Sequence, residues 1–420
     1  MEKRQLQRCG RRVVPALLAA WCTQAGAAGF FLPYQGASSI GNALAGSAAL
    51  GEDATTVYFN PAGMSRLQTR QVSIAGHYVD PTFKYSDTGS TGPAAFTGGN
   101  GGDFAPNTFL PTLFAVLPAG AWRFGLGISA PFGSKTDYEA GWRGRFQADF
   151  TDLKVISVNP SVSYQFADWV SVGAGLNYVR AEAEIERSVL LPGPSEGRVR
   201  LTGEDSTLAY NVGVLVSPTP ATRVGISYRS RVDLDLAGRQ RVTLASGAEF
   251  AAQTFDIRAD LALPAITALS VVHDVDDHWA LLGDVTFYQW GVIQQLVPRN
   301  ASTGAASAPL DLRFRDTMRI SAAVNLRLSE AWLLRGGLAW DQAPVASPED
   351  RTANQPDSDR TWISLGARWD VSAMHRLDFA YAYVMLAAAS INHTVTNAGT
   401  LRGSYDNAAH IFAAQYTLSW

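Results

Sequence analysis

Side chains suited to covalent chemistry are few and poorly placed for it. The chain contains no G-x-S-x-G, no Walker A sequence and no H-E-x-x-H. Those spacings would build a nucleophile elbow, a phosphate cradle or a zinc-binding helix. His273 and His278 with Asp274, Asp276 and Asp277 are the densest set of metal-ligand types. They fall in a tight turn between two alternating segments, where solvated turn residues are expected. Ser270 and His273 make no distinctive nucleophile pair. Both cysteines, Cys9 and Cys22, lie in the first 27 residues, so the remainder has neither thiol nor disulfide. The chain reads as neither an enzyme nor a holder of cofactor or metal.

Composition points to a membrane. Charged residues are 17% of the 420, against about 25% in an ordinary soluble domain. No apolar run after the N-terminus is long enough for a transmembrane helix, which leaves a β-barrel. Residues 1–27 read as a secretory signal. A basic start (Lys3, Arg4, Arg8, Arg11, Arg12) precedes an apolar core from Val13 to Cys22 and the small-x-small site Ala25-Gly26-Ala27. Cleavage after Ala27 or Ala28 fits that site. Removing residues 1–27 takes five basic residues and Glu2, so the formal charge moves from −3 to (34 − 5) − (37 − 1) = −7. A mildly acidic chain without a basic run offers nothing for nucleic acid.

From residue 68 onward alternation dominates. Trp122, Phe124, Leu126 and Ile128 alternate with Arg123, Gly125 and Gly127. Met318, Ile320, Ala322 and Val324 alternate with Arg319, Ser321 and Ala323. Successive strand side chains point to opposite faces, so each segment has one apolar and one small or polar face. Fourteen such segments run from 68–80 to 406–420, many longer than the usual 5 or 6 residues of globular strands. Aromatics stand at their ends, as at Trp279, Phe287, Trp332 and Trp340. Short connections alternate with long ones at 81–106, 133–152, 188–197, 238–251, 298–309, 342–359 and 392–405. Short periplasmic turns and long external loops produce this rhythm. The expected fold is all-β: a 14-stranded antiparallel transmembrane barrel over 68–420. Residues 28–67 are rich in Gly, Ala and Ser and periodic in neither sense. They are expected as short helical turns and loops packed in the lumen, entering from the periplasmic end.

Within that segment Gly36-Ala37-Ser38-Ser39-Ile40-Gly41, Gly51-Glu52-Asp53-Ala54 and Asn60-Pro61-Ala62-Gly63 resemble the N-terminal hatch of the FadL family. Its members are outer-membrane transporters of long-chain fatty acids and other hydrophobic compounds. Pro131-Phe132-Gly133, Gly141-Trp142-Arg143-Gly144-Arg145-Phe146, Leu263-Pro264, Phe314-Arg315-Asp316 and Pro356-Asp357-Ser358-Asp359-Arg360 follow in the family's order.

The resemblance implies a bacterial outer-membrane address and passive uptake through a hatch-gated barrel with a sideways exit. It places a wall opening at a kink in the third strand, here carrying Gly125, Gly127, Pro131 and Gly133. It places a carboxylate site on Arg180 and Arg315, although the family pattern has Lys at the second position and different spacing after the first. Phe30 and Phe31 are candidate pocket walls, and Asn60-Pro61-Ala62 a turn that holds the hatch. A short 188–197 connection implies a reduced outer capture groove. Expected partners are a fatty acid or other hydrophobic small molecule and outer-membrane lipid. The barrel-assembly machinery would read the terminal strand ending at Trp420, and the barrel would act as a monomer. Aromatic-hydrocarbon uptake is the neighbouring alternative. A surface or adhesin barrel without transport is the alternative from another class.

Overall fold

The computed structural model describes residues 29–92, 97–191 and 195–420; the expected signal at 1–27 lies outside them. Fourteen antiparallel strands pair in chain order. They are β1 (Gln71–Asp87), β2 (Thr108–Ala119), β3 (Trp122–Asp137), β4 (Phe150–Ala167), β5 (Val170–Leu191) and β6 (Ser195–Thr219). Next come β7 (Thr222–Arg229 and Val232–Thr243), β8 (Phe255–Leu263 and Ile266–Asp274), β9 (Trp279–Tyr288) and β10 (Thr317–Arg327). The last four are β11 (Trp332–Asp341), β12 (Arg360–Asp370), β13 (His375–Leu386 and Ala389–Val395) and β14 (Gly399–Ser419). The barrel closes where β1 pairs with β14, from Gln71 opposite Ser419 to Asp87 opposite Gly403.

Alternation decides which face meets which solvent. Leu176, Ile226, Leu281, Leu338 and Leu365 all project outward and are exposed. A belt of that kind is costly in water, at about 25 cal/mol per Å² of apolar surface, and favourable in hydrocarbon. Trp169, Trp279, Trp332 and Trp369 ring its short-turn end, and Tyr178, Phe287 and Trp340 its far end. These are the positions of interfacial girdles. No helix among the described residues is long and apolar enough to cross a membrane.

The lumen is filled by residues 29–67, which form α1 (Ala37–Gly41), α2 (Thr56–Phe59) and a 3-10 turn (Pro61–Arg66). Nearly every one is buried. Asn60 caps the 3-10 turn by accepting from the Ala62 amide at 3.0 Å. Its side-chain amide donates to the carbonyls of Ala48 (2.7 Å) and Val214 on β6 (3.1 Å). The segment lies so close to the wall that a Cβ at Gly225 would fall on the Ala48 carbonyl, and one at Gly213 on the Asn60 side chain. Gly225→Val is therefore expected to unseat the segment. Overpacking costs about 1–3 kcal/mol, and a backbone carbonyl yields less than a side chain. Limited proteolysis should cut within 29–67 while the barrel keeps its folded gel mobility.

Two expectations about connections are corrected. The segments at 188–197 and 392–405 are mostly strand, and 238–251 is strand over its first six residues: β5 runs to Leu191, β6 starts at Ser195, β7 reaches Thr243 and β14 begins at Gly399. Above the apolar belt the outward face is charged and laced by pairs such as Arg200 with Glu184 at 2.7 Å, while the inward face keeps apolar residues such as Leu234 and Leu236. At the strand tips small and polar residues such as Ser195, Gly197, Gly238, Gly399 and Thr400 interrupt that alternation, so it does not mark where the ladder ends. In the opposite sense, the strands expected over 278–297 and 310–328 stop at Tyr288 and start at Thr317. The intervening chain folds into the barrel because Trp290, Ile293, Leu312 and Phe314 bury there.

Candidate ligand path

A groove opens on the loop side between the tops of β5 and β6, residues 296–311 and residues 393–396. Its volume is about 180 Å³, and Ile185, Leu201, Leu296, Pro309, Leu310 and Val395 line it. Arg187 of β5 is the cation in that wall. No hydrogen bond or ion pair reaches its guanidinium among the described residues. Burial alone pulls its pKa below the ordinary arginine value. Asp311 lines the same groove but makes no ion pair with Arg187 among the described residues, and a desolvated cation without a bonded carboxylate is an expensive arrangement unless a ligand supplies the anion.

Below the groove the apolar lining is continuous. Leu296 and Leu310 pack against one cluster that descends through Phe314, Trp290 and Phe30 to Phe31, Phe132 and Tyr288. Phe30 meets Trp290 edge-on with ring centroids 5.8 Å apart, and Phe31 lies 5.2 Å from Tyr288. At the foot of this column a cavity of about 40 Å³ is walled by Phe31, Tyr58, Phe59, Tyr288, Arg229 and Arg319. That is room for a water or two, not for an alkyl chain.

Beside the column the barrel wall is interrupted. β3 pairs with β2 only from Ile128 opposite Leu113 to Trp122 opposite Ala119. Above that point the β3–β4 register jumps between Ser129 and Phe132, so β3 carries one residue more than β4. This is a β-bulge, which bends a strand, and every residue from Ser129 to Ser134 is buried. The edge of β3 that β2 leaves is taken by the lumenal segment. The Leu32 amide donates to the Pro131 carbonyl at 2.8 Å, and the Gly133 amide donates to the Phe30 carbonyl at 2.7 Å. β2 residues 108–112 have no β3 partner.

The family model described as "Outer membrane protein transport protein (OMPP1/FadL/TodX)" matches residues 17–420. This chain belongs to the FadL family. It is 30% identical over 403 residues to outer membrane protein P1 of Haemophilus influenzae, covering 86% of each chain. It is 27% identical over 400 residues to the long-chain fatty acid transport protein of an Escherichia coli O6:H1 strain, covering 86% of this chain and 88% of that one. Its fold is shared with a Pseudomonas aeruginosa FadL homologue, with a TM-score of 0.85, 22% identity and coverage of 93% and 99% of the two chains. The Ralstonia pickettii toluene transporter TbuX gives a TM-score of 0.68, 19% identity and coverage of 90% and 97%. The protein is thus an outer-membrane transporter of hydrophobic compounds, and the relatives are transport proteins rather than enzymes.

In this FadL-family barrel the sequence-predicted residues scatter. Phe30 and Phe31 stand in the apolar column. Asn60, Pro61 and Ala62 fix the hatch against β6. Arg180 requires correction: it shares the outward face of β5 with Leu176 and Tyr178, and pairs with Glu182 (3.1 Å) and Glu204 (2.6 Å). It points away from the lumen. Arg315 is also exposed, beside the buried Phe314, and the fold does not bring it to Arg180. Gly125 and Gly127 do not form the kink. A Cβ on the first would strike Met64 and Val57 of the hatch, and one on the second the Phe114 ring. The bulge lies instead at Ala130-Pro131, with Gly133 bonded to the hatch. His273 hydrogen-bonds Thr222 at 2.9 Å, and Asp276 accepts from the amides of His278 and Trp279, which closes that turn. Sequence reasoning missed Arg187 and Arg229. Counting by two from the inward Val179 and Ala181 would have reached Arg187.

Proposed function

We propose that this protein takes up long-chain fatty acids. The acid settles in the outer groove with its carboxylate on Arg187, descends the apolar column as the hatch moves, and leaves sideways between β2 and β3. The observation that carries this reading is Arg187, an unpaired and desolvated guanidinium at the top of a continuous apolar column. Guanidinium and carboxylate match through paired, charge-assisted hydrogen bonds. Transfer along apolar walls spares the chain about 0.8 kcal/mol per methylene, the cost of entering water. The E. coli relative, a long-chain fatty acid transport protein, agrees with this substrate. The ring cluster of Phe30, Trp290, Phe314 and Phe132 favours a second reading, aromatic hydrocarbons, since such walls accept planar rings equally well.

The test is uptake of labelled oleate and of toluene into cells lacking their own transporters. Arg187→Gln is expected to cut oleate uptake by about tenfold, the worth of one hydrogen-bonded charge, and to leave toluene untouched. Uptake of toluene but not oleate would assign the protein to hydrocarbons. Uptake of neither by a folded barrel would remove the transport reading for both substrates and favour a surface role.

A further inference from the structure

A second interruption crosses the wall between β6 and β7. The ladder holds at the top, from Arg198 opposite Thr243 to Glu204 opposite Ala237, and again from Asn211 opposite Arg229 downward. The two stretches differ in register by one residue. Between them residues 205–210 have no ladder partner on β7 beyond one bond, from the Ser230 amide to the Tyr210 carbonyl at 2.9 Å. Side chains stand in for the rest. The Asp205 carboxylate accepts the amides of Asp235 (2.8 Å) and Ser206 (2.7 Å), and the Ser230 hydroxyl accepts the Tyr210 amide at 3.0 Å. Both faces of this seam are apolar. Leu208, which is 69% exposed, stands opposite Tyr178 of the far-end girdle and faces lipid. On the inner side Ala209, Val232 and Leu234 are buried in the same cluster as Phe314, against which Leu296 and Leu310 pack. Immediately below, the inner face turns polar at Asn159, Ser161 and Asn211. At the seam one layer of side chains, without an intact ladder, separates the outer leaflet from the apolar column.

We propose that this seam is an entrance from the outer leaflet. Uncharged apolar molecules already dissolved in the membrane, such as aromatic hydrocarbons, pass through it into the column without meeting the outer groove. The inference rests on the transport reading and not on the fatty-acid one. An intact ladder resists opening, because each parted backbone group loses its partner in hydrocarbon. Along residues 205–210 most of those bonds are already absent, and what must part is held by Asp205 and Ser230. An apolar molecule that slides between Leu208 and Leu234 keeps apolar neighbours on both sides of the wall. Charge selects the traveller. Arg180, Arg231 and Arg258 stand on the lipid side of the seam, and each is already held by an acid, Glu204, Asp233 and Asp235 in turn. With Asp205 in the seam itself, the rim carries more carboxylates than cations. A fatty-acid carboxylate meets no free cation there and is repelled by like charge. Acids therefore enter at Arg187 and neutral molecules at the seam, so that two mouths serve one column.

The experiment is uptake of labelled toluene and labelled oleate by cells lacking their own transporters, with the seam closed or loosened. Heat-dependent gel mobility checks that each barrel is folded. Both cysteines lie in residues 1–27, so Leu208→Cys with Asp233→Cys introduces the one thiol pair of residues 28–420. The upper register, continued downward, sets these two positions against each other. Bridging them with a short, cleavable bifunctional thiol reagent is expected to cut toluene uptake at least about tenfold, since a covalent bridge removes the open state. Oleate uptake should stay unchanged, and cleaving the reagent should restore toluene. The pair Val214→Cys with Ile226→Cys spans an intact stretch of the same two strands, and bridging it should alter neither substrate. Asp205→Ala should raise toluene uptake by about tenfold, the factor one charge-assisted bond supplies. Unchanged toluene uptake in the bridged barrel or in Asp205→Ala would overturn the proposal. So would an equal fall of toluene and oleate on bridging, which would make the seam part of a common wall and not a separate entrance. Oleate uptake without toluene uptake in the unaltered protein would sink the entrance and leave the fatty-acid reading standing. Uptake of neither would sink the transport reading and the entrance together.

Discussion

Deleting Ala130 and replacing Pro131→Val is expected to leave a folded barrel that has lost at least about 95% of its uptake. β3 has two unpaired residues, Ala130 and Pro131, where β4 has one, Ile156. Removing one restores the register, and replacing the proline returns an amide to the ladder. β3 can then continue along β2 beyond Ile128 and meet residues 108–112. The wall between β2 and β3 becomes an ordinary ladder facing lipid. Opening such a ladder strands backbone groups in hydrocarbon, at about 2–7 kcal/mol each. The lower figure alone slows passage by roughly thirtyfold. Residues Phe30 to Leu32 also lose the strand edge they now occupy, so the hatch should become easier to cleave. Labelled oleate uptake, set against heat-dependent gel mobility as the check on folding, separates the outcomes. Unchanged uptake in a folded barrel would place the exit elsewhere, toward the periplasmic mouth.

What could be read from the chain and what could not divides along a physical line. In the belt the solvent differs on the two faces of each strand, and large apolar residues alternate with small ones. Leu176 and Tyr178 against Gly175 and Asn177 give both the strand and its orientation. Above the belt water replaces lipid outside the barrel, and Glu184 and Glu186 pair with Arg198 and Arg200 on the outward face while Ile185, Val199 and Leu201 alternate with them on the inward face. That alternation carries the expected strands up to residue 187 and from residue 198, and only the tip of the hairpin, to Leu191 and from Ser195, lies beyond it. The carboxylate site failed for another reason. Local motif placed it on Arg180, but parity with Leu176 and Tyr178 sends that side chain outward, and the inward register leads to Arg187. The kink was sought at glycines because glycine permits bends. Gly125 and Gly127 serve instead as the floor on which Met64 and Val57 rest, a contact between distant parts of the chain that no local pattern encodes. Gly225 against Ala48 and Arg229 against Tyr58 are of the same kind.

The buried ion cluster under the hatch makes the largest stability prediction. Arg335 of β11 is fully buried and reaches across Gly366 of β12. It donates to Asp378 of β13 at 2.7 Å and to Glu52 of the hatch at 2.9 Å. Arg368 stands 3.6 Å from Glu52, and Arg376 donates to the Glu52 carbonyl at 2.9 Å. One guanidinium thus joins two strands to the lumenal segment, with charges that the low-dielectric interior punishes when unpaired. Arg335→Leu leaves Asp378 and Glu52 as neighbouring buried carboxylates, and breaking such a group costs about 3–5 kcal/mol. The expected result is a hatch cleaved readily by protease and a barrel that admits large hydrophilic antibiotics. Glu52→Gln should be milder, because its neighbours Arg368 and Arg376 also meet Asp370. The decisive comparison is the double variant Arg335→Leu with Asp378→Leu. If uncompensated charge is the cause, removing the second partner should recover much of the loss, since an apolar replacement of both ions is often neutral. A double variant as leaky as the single one would mean that the arm of Arg335 holds the hatch by its packing over Gly366 and not by its charge.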